Sequence, residues 1–124
     1  MIESLREEYI QEYYHLGYKL NTNFSYLFKY EDIIDKPYNY LYGYIKDNKL
    51  IGFIHIILEV DEADIVNIIV DDHYQRLGIG KKLIEEAIKR HHLKALNIEV
   101  RQSNEAVKFY LKMGFKMIKT IPNY

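Results

Sequence analysis

Apolar residues recur along this chain with two periods, and the switches between them mark out its elements. Near the start Leu5, Tyr9, Tyr13 and Leu16 share one face by i, i+4 spacing among charged neighbours, which predicts a helix from Glu3 to about Leu16. From Tyr38 to Ile45 and from Leu50 to Val60 the apolar residues crowd at strand spacing. The polar stretch Lys46-Asp47-Asn48-Lys49 between them predicts a hairpin turn. Ile65 to Val70 is a short apolar run, the mark of a buried strand, and Asp61-Glu62-Ala63-Asp64 before it reads as a solvated turn. The helical period returns from Ile79 to Arg90. That helix buries Ile79, Leu83, Ile84, Ala87 and Ile88 and leaves Lys81, Lys82, Glu85, Glu86, Lys89 and Arg90 in water. Lys94 to Val100 follows as a strand parallel to the one before the helix, because a helical crossover brings the chain back in the same direction. Ser103 or Asn104 caps a second helix that Gly114 stops, and Phe115 to Ile121 reads as a last strand. This order predicts an α/β fold with a mixed sheet, built as one domain over residues 1–124.

Composition narrows the class. A chain of 124 residues with 48% hydrophobic content can close one core and has no length for two comfortable ones. Its 17 basic and 18 acidic residues leave a net charge of −1, so no global field draws it to nucleic acid or to an anionic membrane. The absence of cysteine excludes disulfides, thiolate catalysis and Cys-based zinc sites. The N-terminus is acidic without an apolar signal core, and the apolar runs are strand-sized, so a cytoplasmic protein is the expectation.

The segment Gln75-Arg76-Leu77-Gly78-Ile79-Gly80 lies where the Ile65 to Val70 strand gives way to the helix. A glycine-rich turn entering a helix leaves backbone N–H groups unpaired beside the positive end of the helix dipole, which suits an anion such as a diphosphate. A P-loop needs glycine where Gln75 stands and a hydroxyl residue after Gly-Lys, where Lys82 stands. The dinucleotide fingerprint laid on Gly78 and Gly80 places Leu83 at its third glycine. Both readings fail on a named residue. The remaining form, Gln75, Gly78 and Gly80, resembles the pyrophosphate motif of the GNAT superfamily of acetyl-CoA-dependent N-acetyltransferases. Asn97-Ile98-Glu99-Val100-Arg101-Gln102-Ser103-Asn104 and the run from Ala106 to Phe115, with Tyr110 four residues before Gly114, are similar to the second half of such domains. With Asp61-Glu62-Ala63 and Asn67 to Asp71, they most resemble the bacterial ribosomal-protein-alanine N-acetyltransferases. The likeness covers Asp61 to Phe115.

The resemblance implies a mostly antiparallel sheet with a parallel β-α-β unit at a cofactor cleft, and transfer of an acetyl group from acetyl-CoA to a primary amine. An amine attacks only when neutral, so the site needs a base within reach. The likeness gives that role to Glu99, whose bland alternative is an outward strand carboxylate. Tyr110 is implied as the acid that protonates the departing thiolate, against a bland reading as a core aromatic. Without cysteine, direct transfer in a ternary complex is expected. The backbone of Ile68, Ile69 and Val70 is implied to pair with the pantetheine arm. Gln75, Arg76, Leu77, Gly78, Ile79, Gly80 and Lys81 surround the diphosphate, Arg76 and Lys81 adding charge. Asn104 or Ser103 faces the cofactor, and an ordinary helix cap explains Asn104 equally well. No metal is implied: His91-His92 ends a helix, and His55 among strand residues reads as a core or cleft histidine.

Relatives of this kind add a further strand after the one following Gly-Phe, whereas here the sequence ends at Asn123-Tyr124. Open edges invite other strands, so either Phe115 to Ile121 pairs there directly or a second subunit completes the sheet as a homodimer. The acceptor stays open between a protein N-terminus, a protein lysine, a polyamine and a small amine. A reading of another class stays beside the enzyme, an acyl-CoA-binding regulatory module with little or no catalysis.

Overall fold

A computed structural model describes the backbone of residues 1–101 and 116–121 and the side chains of residues 1–97. Six strands form one sheet in chain order: β1 (Ile2–Ser4), β2 (Asn39–Lys46), β3 (Lys49–Glu59), β4 (Glu62–Val70), β5 (Ala95–Arg101) and β6 (Lys116–Ile121). The first four pair antiparallel, and β4–β5 and β5–β6 pair parallel. The mixed sheet and the parallel return after the helix are as expected, and β6 lies directly on β5, one of the two expected coverings of that edge. Helix α4 (Ile79–His91) crosses one face, while α1 (Ile10–Tyr18), α2 (Phe24–Leu27) and α3 (Tyr30–Asp35) cover the other. Among the described residues no helix is long and apolar enough to cross a membrane.

Strand β3 is the spine, because it is buried on both sides from Leu50 to Ile56. Successive strand residues point to opposite faces. A bulge at Ile51, where Tyr44 pairs with Gly52 and Ile45 with Leu50, shifts that alternation by one, so Ile51, Ile54 and Ile56 meet Leu83, Ile84 and Ala87 of α4, whereas Leu50 and Phe53 meet Tyr13, Leu16 and Phe24 on the other side. The turn from β2 into β3 places Asp47 and Asn48 at φ of 51° and 61°, the left-handed pair that a tight hairpin with right-twisted strands requires.

Three details depart from the sequence expectations. The helix expected from Glu3 begins only at Ile10; Ile2–Ser4 pairs with β2, and Glu7–Tyr9 forms a single 3-10 turn. All four residues of the expected stripe are buried nonetheless, because Leu5 leaves the strand directly over the core that α1 covers. Second, the reversal before β4 is the pair Val60-Asp61, and Glu62 to Asp64 already belong to the strand. Ala63 is buried there, and Asn97 Nδ2 donates to Asp64 Oδ1 at 3.1 Å, so the carboxylate finds a partner in the sheet rather than in water. Third, α2 and α3 are too short to leave a periodic signal. Tyrosine hydroxyls staple them instead: Tyr13 donates to the Phe28 carbonyl at 2.8 Å, Tyr30 donates to the Leu5 carbonyl at 2.8 Å, and Tyr14 accepts from the Tyr30 N–H at 2.9 Å. The second expected helix, from residue 103 to Gly114, lies outside the described residues.

Gly17 is the contact point of α1 with this layer. A Cβ there would stand 2.1 Å from Cδ2 of Phe24, which is itself fully buried against Tyr13 and Phe53. In an open helix Gly→Ala stabilises by about 1 kcal/mol. Here Gly17→Ala is expected to destabilise by about 1–3 kcal/mol through overpacking, measured by urea unfolding. In a Phe24→Ala background the same change should become neutral or favourable, and an additive double-mutant cycle would refute the contact.

Candidate active site

The site begins with a mismatch in the sheet. Asn67 pairs with His55, but the next pair is Ile56 with Ile65, so Val66 is an extra residue and β4 bulges there. On its other side β4 pairs with β5 only from Glu62↔Ala95 to Ile65↔Ile98, although β4 runs on to Val70 and β5 to Arg101. Past the bulge the two parallel strands no longer pair, and a cleft opens between them. The Asp71 N–H donates to the Ile51 carbonyl at 2.8 Å, which fixes the alternation along β4. Ile69 therefore spends its main-chain groups on Phe53 of β3, whereas those of Ile68 and Val70 point away from β3 into the cleft. The three residues expected to meet the pantetheine arm thus divide, two with main chain toward the cleft and one bonded within the sheet. The carbonyl of Val70 accepts from Gln75 Nε2 at 3.2 Å.

The chain then makes a one-turn 3-10 helix, Asp72–Tyr74, started by Asp71, whose Oδ1 accepts from the His73 N–H at 2.9 Å. That bond holds the Asp71 carboxyl below its usual range. Gln75 also donates to Asp72 Oδ1 at 3.2 Å, and Asp72 Oδ2 pairs with Lys19 of α1 at 3.2 Å. The side chain of Gln75 thus buttresses the loop. Arg76 and Gly78 are left-handed, with φ of 66° and 77°, and backbone of this kind can line neighbouring N–H groups along one concave side. Glycine adopts that conformation freely, whereas an L side chain such as that of Arg76 is strained by about 1–2 kcal/mol. Gly80 brings the helix start close to β4, since a Cβ there would lie 3.8 Å from Val70 Cγ2.

The first N–H to close a helical bond is that of Lys82, donating to the Gly78 carbonyl at 3.0 Å. None of the seven main-chain N–H groups from 75 to 81 meets an acceptor among the described residues. Residues 75–78 and Lys81 are exposed, while Ile79 anchors the turn in the core. Unpaired donors, an open surface and the positive end of α4 together make an anion cradle. Arg76 forms no ion pair among the described residues, and Lys81 stands 3.8 Å from Glu85 in an exposed pair of little strength.

Glu99 lies on β5 one residue beyond the last β4–β5 pair, opposite Lys119 of β6. Tyr110, Asn104 and Ser103 lie outside the described residues. His91 is engaged by the Tyr42 hydroxyl at 2.6 Å, and His92 takes the left-handed position that ends α4. His55 is buried, with Nε2 2.8 Å from Asn39 Oδ1. Asn67 entered the sequence analysis only as part of the segment resembling the family, without a role of its own, and its one local signal is a polar residue inside the apolar run of β4.

A mostly antiparallel sheet that parts between two parallel strands, with an amide-lined loop entering the helix that joins them, defines a fold suited to a phosphorylated cosubstrate laid along a strand edge. The chain belongs to the GNAT family: the acetyltransferase (GNAT) domain matches residues 6–122. It is 37% identical over 83 residues to the ribosomal protein bS18-alanine N-acetyltransferase of Haemophilus influenzae, a match covering 64% of this chain and 57% of that protein. The chain thus spans little more than half the length of that relative. Among solved structures, the ribosomal-protein-S18-alanine N-acetyltransferase from Escherichia coli superposes with a TM-score of 0.72 at 25% identity, over 94% of this chain and 77% of the other. A PaiA N-acetyltransferase from Thermoplasma acidophilum, solved in complex with coenzyme A, shares the fold with a TM-score of 0.80 at 20% identity, over 94% and 89% of the two chains. The family resemblance read from Gln75 to Gly80 and from Asn97 to Phe115 is borne out.

Burial pushes the His55 imidazole down to about 4, and the nearby Lys36 charge acts in the same direction. An unfolded histidine titrates near 6.5, so between these values the unfolded chain binds the extra proton and stability rises with pH. The contribution is complete above about pH 6.5 and is lost as pH falls toward 4. Stability measured by urea unfolding is expected to drop by up to about 3 kcal/mol from this group between pH 7 and pH 4. His55→Asn, which cannot titrate, should flatten that part of the profile; an unchanged slope would exclude His55 as its source.

Proposed function

We propose that this chain transfers the acetyl group of acetyl-CoA to a primary amine by direct attack. The observation that carries the reading is the row of unpartnered N–H groups from 75 to 81, joined by a few residues to the open edge of β4. In this reading Arg76 to Lys81 hold the diphosphate through main-chain donors, with the two cationic side chains adding charge. Gln75 braces the loop from behind. Ile68 and Val70 offer main-chain groups to the pantetheine arm, and Ile69 ties that edge to β3. The cosubstrate supplies an activated thioester carbonyl.

Glu99 removes the proton of the ammonium, directly or through one water, so that the nitrogen lone pair can form the new C–N bond. Tyr110 gives its proton to the sulfur as the C–S bond breaks and is reprotonated by the second proton that the nitrogen sheds, and the products are an N-acetyl amide and coenzyme A. Asn104 or Ser103 completes the cofactor contacts at the start of the second helix. The names of the relatives make the α-amine of a protein N-terminus the first acceptor to test.

Thiol release with acetyl-CoA and a panel of peptide N-termini, lysine peptides, polyamines and small amines is expected to show turnover with at least one class. Glu99→Gln and Tyr110→Phe are each expected to lower kcat by about 10²-fold or more while acetyl-CoA affinity stays near wild type. Gly78→Ala, whose Cβ would meet no atom within 4 Å but whose φ of 77° strains any L residue, should reshape the loop and act on cosubstrate affinity instead. Binding without turnover across the whole panel would leave only an acyl-CoA-binding module. Calorimetry showing no heat with acetyl-CoA or coenzyme A would remove both.

A further inference from the structure

Two buried polar atoms have no partner among the described residues at the point where β4 bulges. His55 and Asn67 stand directly opposite each other in the β3–β4 register, on the face covered by the tyrosine-stapled helices. There the Phe28 ring meets the imidazole edge-on at 6.3 Å. Only 3% of His55 is exposed. Its Nε2 faces Asn39 Oδ1 at 2.8 Å, and Asn39 Nδ2 donates to the Pro37 carbonyl at 3.2 Å. The second bond orients the Asn39 amide with its oxygen toward the ring, so the neutral imidazole carries its proton on Nε2. Nδ1 is then a bare acceptor, and no group among the described residues meets it. Asn67 Nδ2, a donor, is buried without a partner as well.

Two residues paired in register on one face of the sheet thus carry an unpartnered acceptor and an unpartnered donor, although buried polar atoms are almost always satisfied. A single oxygen that donates to Nδ1 and accepts from Nδ2 would satisfy both. The bulge adds further partners of the right kind, because it leaves Val66 outside the ladder with main-chain groups to spare. A polar point with two to four such partners is what holds a buried water.

We propose that a water bridges His55 Nδ1 and Asn67 Nδ2 and holds the bulge of β4, so that these two side chains are positioning residues for the strand edge of Ile68 and Val70. Asn67 immediately precedes Ile68, and any relaxation of the bulge turns that edge back toward regular pairing. A hydroxyl of a bound acceptor offers the same chemistry, and the measurements below separate the two sources. The positioning role rests on the proposed use of that edge by acetyl-CoA; the bridge itself does not.

Nitrogen-15 NMR of the full chain without ligands reads the bridge directly. The expected result is an Nε2–H tautomer for His55, an Nδ1 resonance shifted upfield as a hydrogen-bonded acceptor, and cross-peaks between the Asn67 side-chain amide and a long-lived water. A proton on Nδ1, or an unshifted Nδ1 that becomes bonded only when an amine acceptor is added, would overturn the resident water. Calorimetric titration then reads the positioning role. Asn67→Leu and His55→Leu are expected to weaken acetyl-CoA binding by about tenfold each. His55→Asn, whose amide oxygen stands near the place of Nδ1, should stay within about threefold of wild type. Variants that lose thermal stability while keeping wild-type affinity would overturn the positioning role. Should the wild-type chain take up no acetyl-CoA, the reading of the site fails, and the NMR result still decides the bridge.

Discussion

Strand β4 has to be a central strand at one end and an open edge at the other, and the bulge at Val66 is what lets it be both. Up to Ile65 it is paired on two sides, with β3 and with β5. Beyond Asn67 it keeps β3 and loses β5, so the main-chain groups of Ile68 and Val70 face a cleft instead of a neighbouring strand. The strand is half-buried there, and its unpaired main-chain donors and acceptors are left to water or to an extended partner. Regular pairing to the ends of both strands would satisfy the sheet and abolish the site.

The second set of unsatisfied groups follows within a few residues. The chain leaves β4 at Val70, makes one 3-10 turn, and enters α4 with seven N–H groups that meet no acceptor among the described residues. Both sets sit on a rigid base. Leu83, Ile84 and Ala87 fix α4 against Ile51, Ile54 and Ile56, while Gln75, Asp72 and Lys19 tie the loop to β4 and to the end of α1. The loop is thus held from below and from the side while its amides stay open. The proposed cosubstrate, extended with a diphosphate at one end, would meet both sets at once.

The opposite face solves a different problem with tyrosine. Residues 19–38 form short helices that could not persist alone, since a helix of one or two turns does not recover its nucleation cost. The hydroxyls of Tyr13, Tyr14 and Tyr30 reach main-chain groups of that segment and of Leu5, while their rings fill the core against Phe24 and Phe53. Burial pushes the Tyr13 phenol well above its ordinary range, so it stays a neutral donor. The abundance of tyrosine thus has a structural use in a chain that needs both apolar area and fixed hydrogen bonds.

Elements with a long repeat were legible in the sequence: α4, β2, β3 and the parallel return of β5 all lie within a residue or two of where periodicity put them. The glycine turn into α4 was legible too, because glycine spacing between a strand and a helix constrains the backbone locally. What could not be read were features whose cause lies far along the chain. Ile2–Ser4 is a strand where β2 offers it an edge, Asp64 belongs to β4 through its register with Ile57 of β3 and Asn97 of β5, and Gln75 turns inward to Val70 and Asp72. The sequence by itself determined the apolar pattern, the glycine turn and the family, since each depends on neighbours within a few residues. Only the tertiary structure decided that β4 parts from β5 after Ile65 and that His55 and Asn67 come face to face there, because both depend on a one-residue register shift that no local pattern encodes.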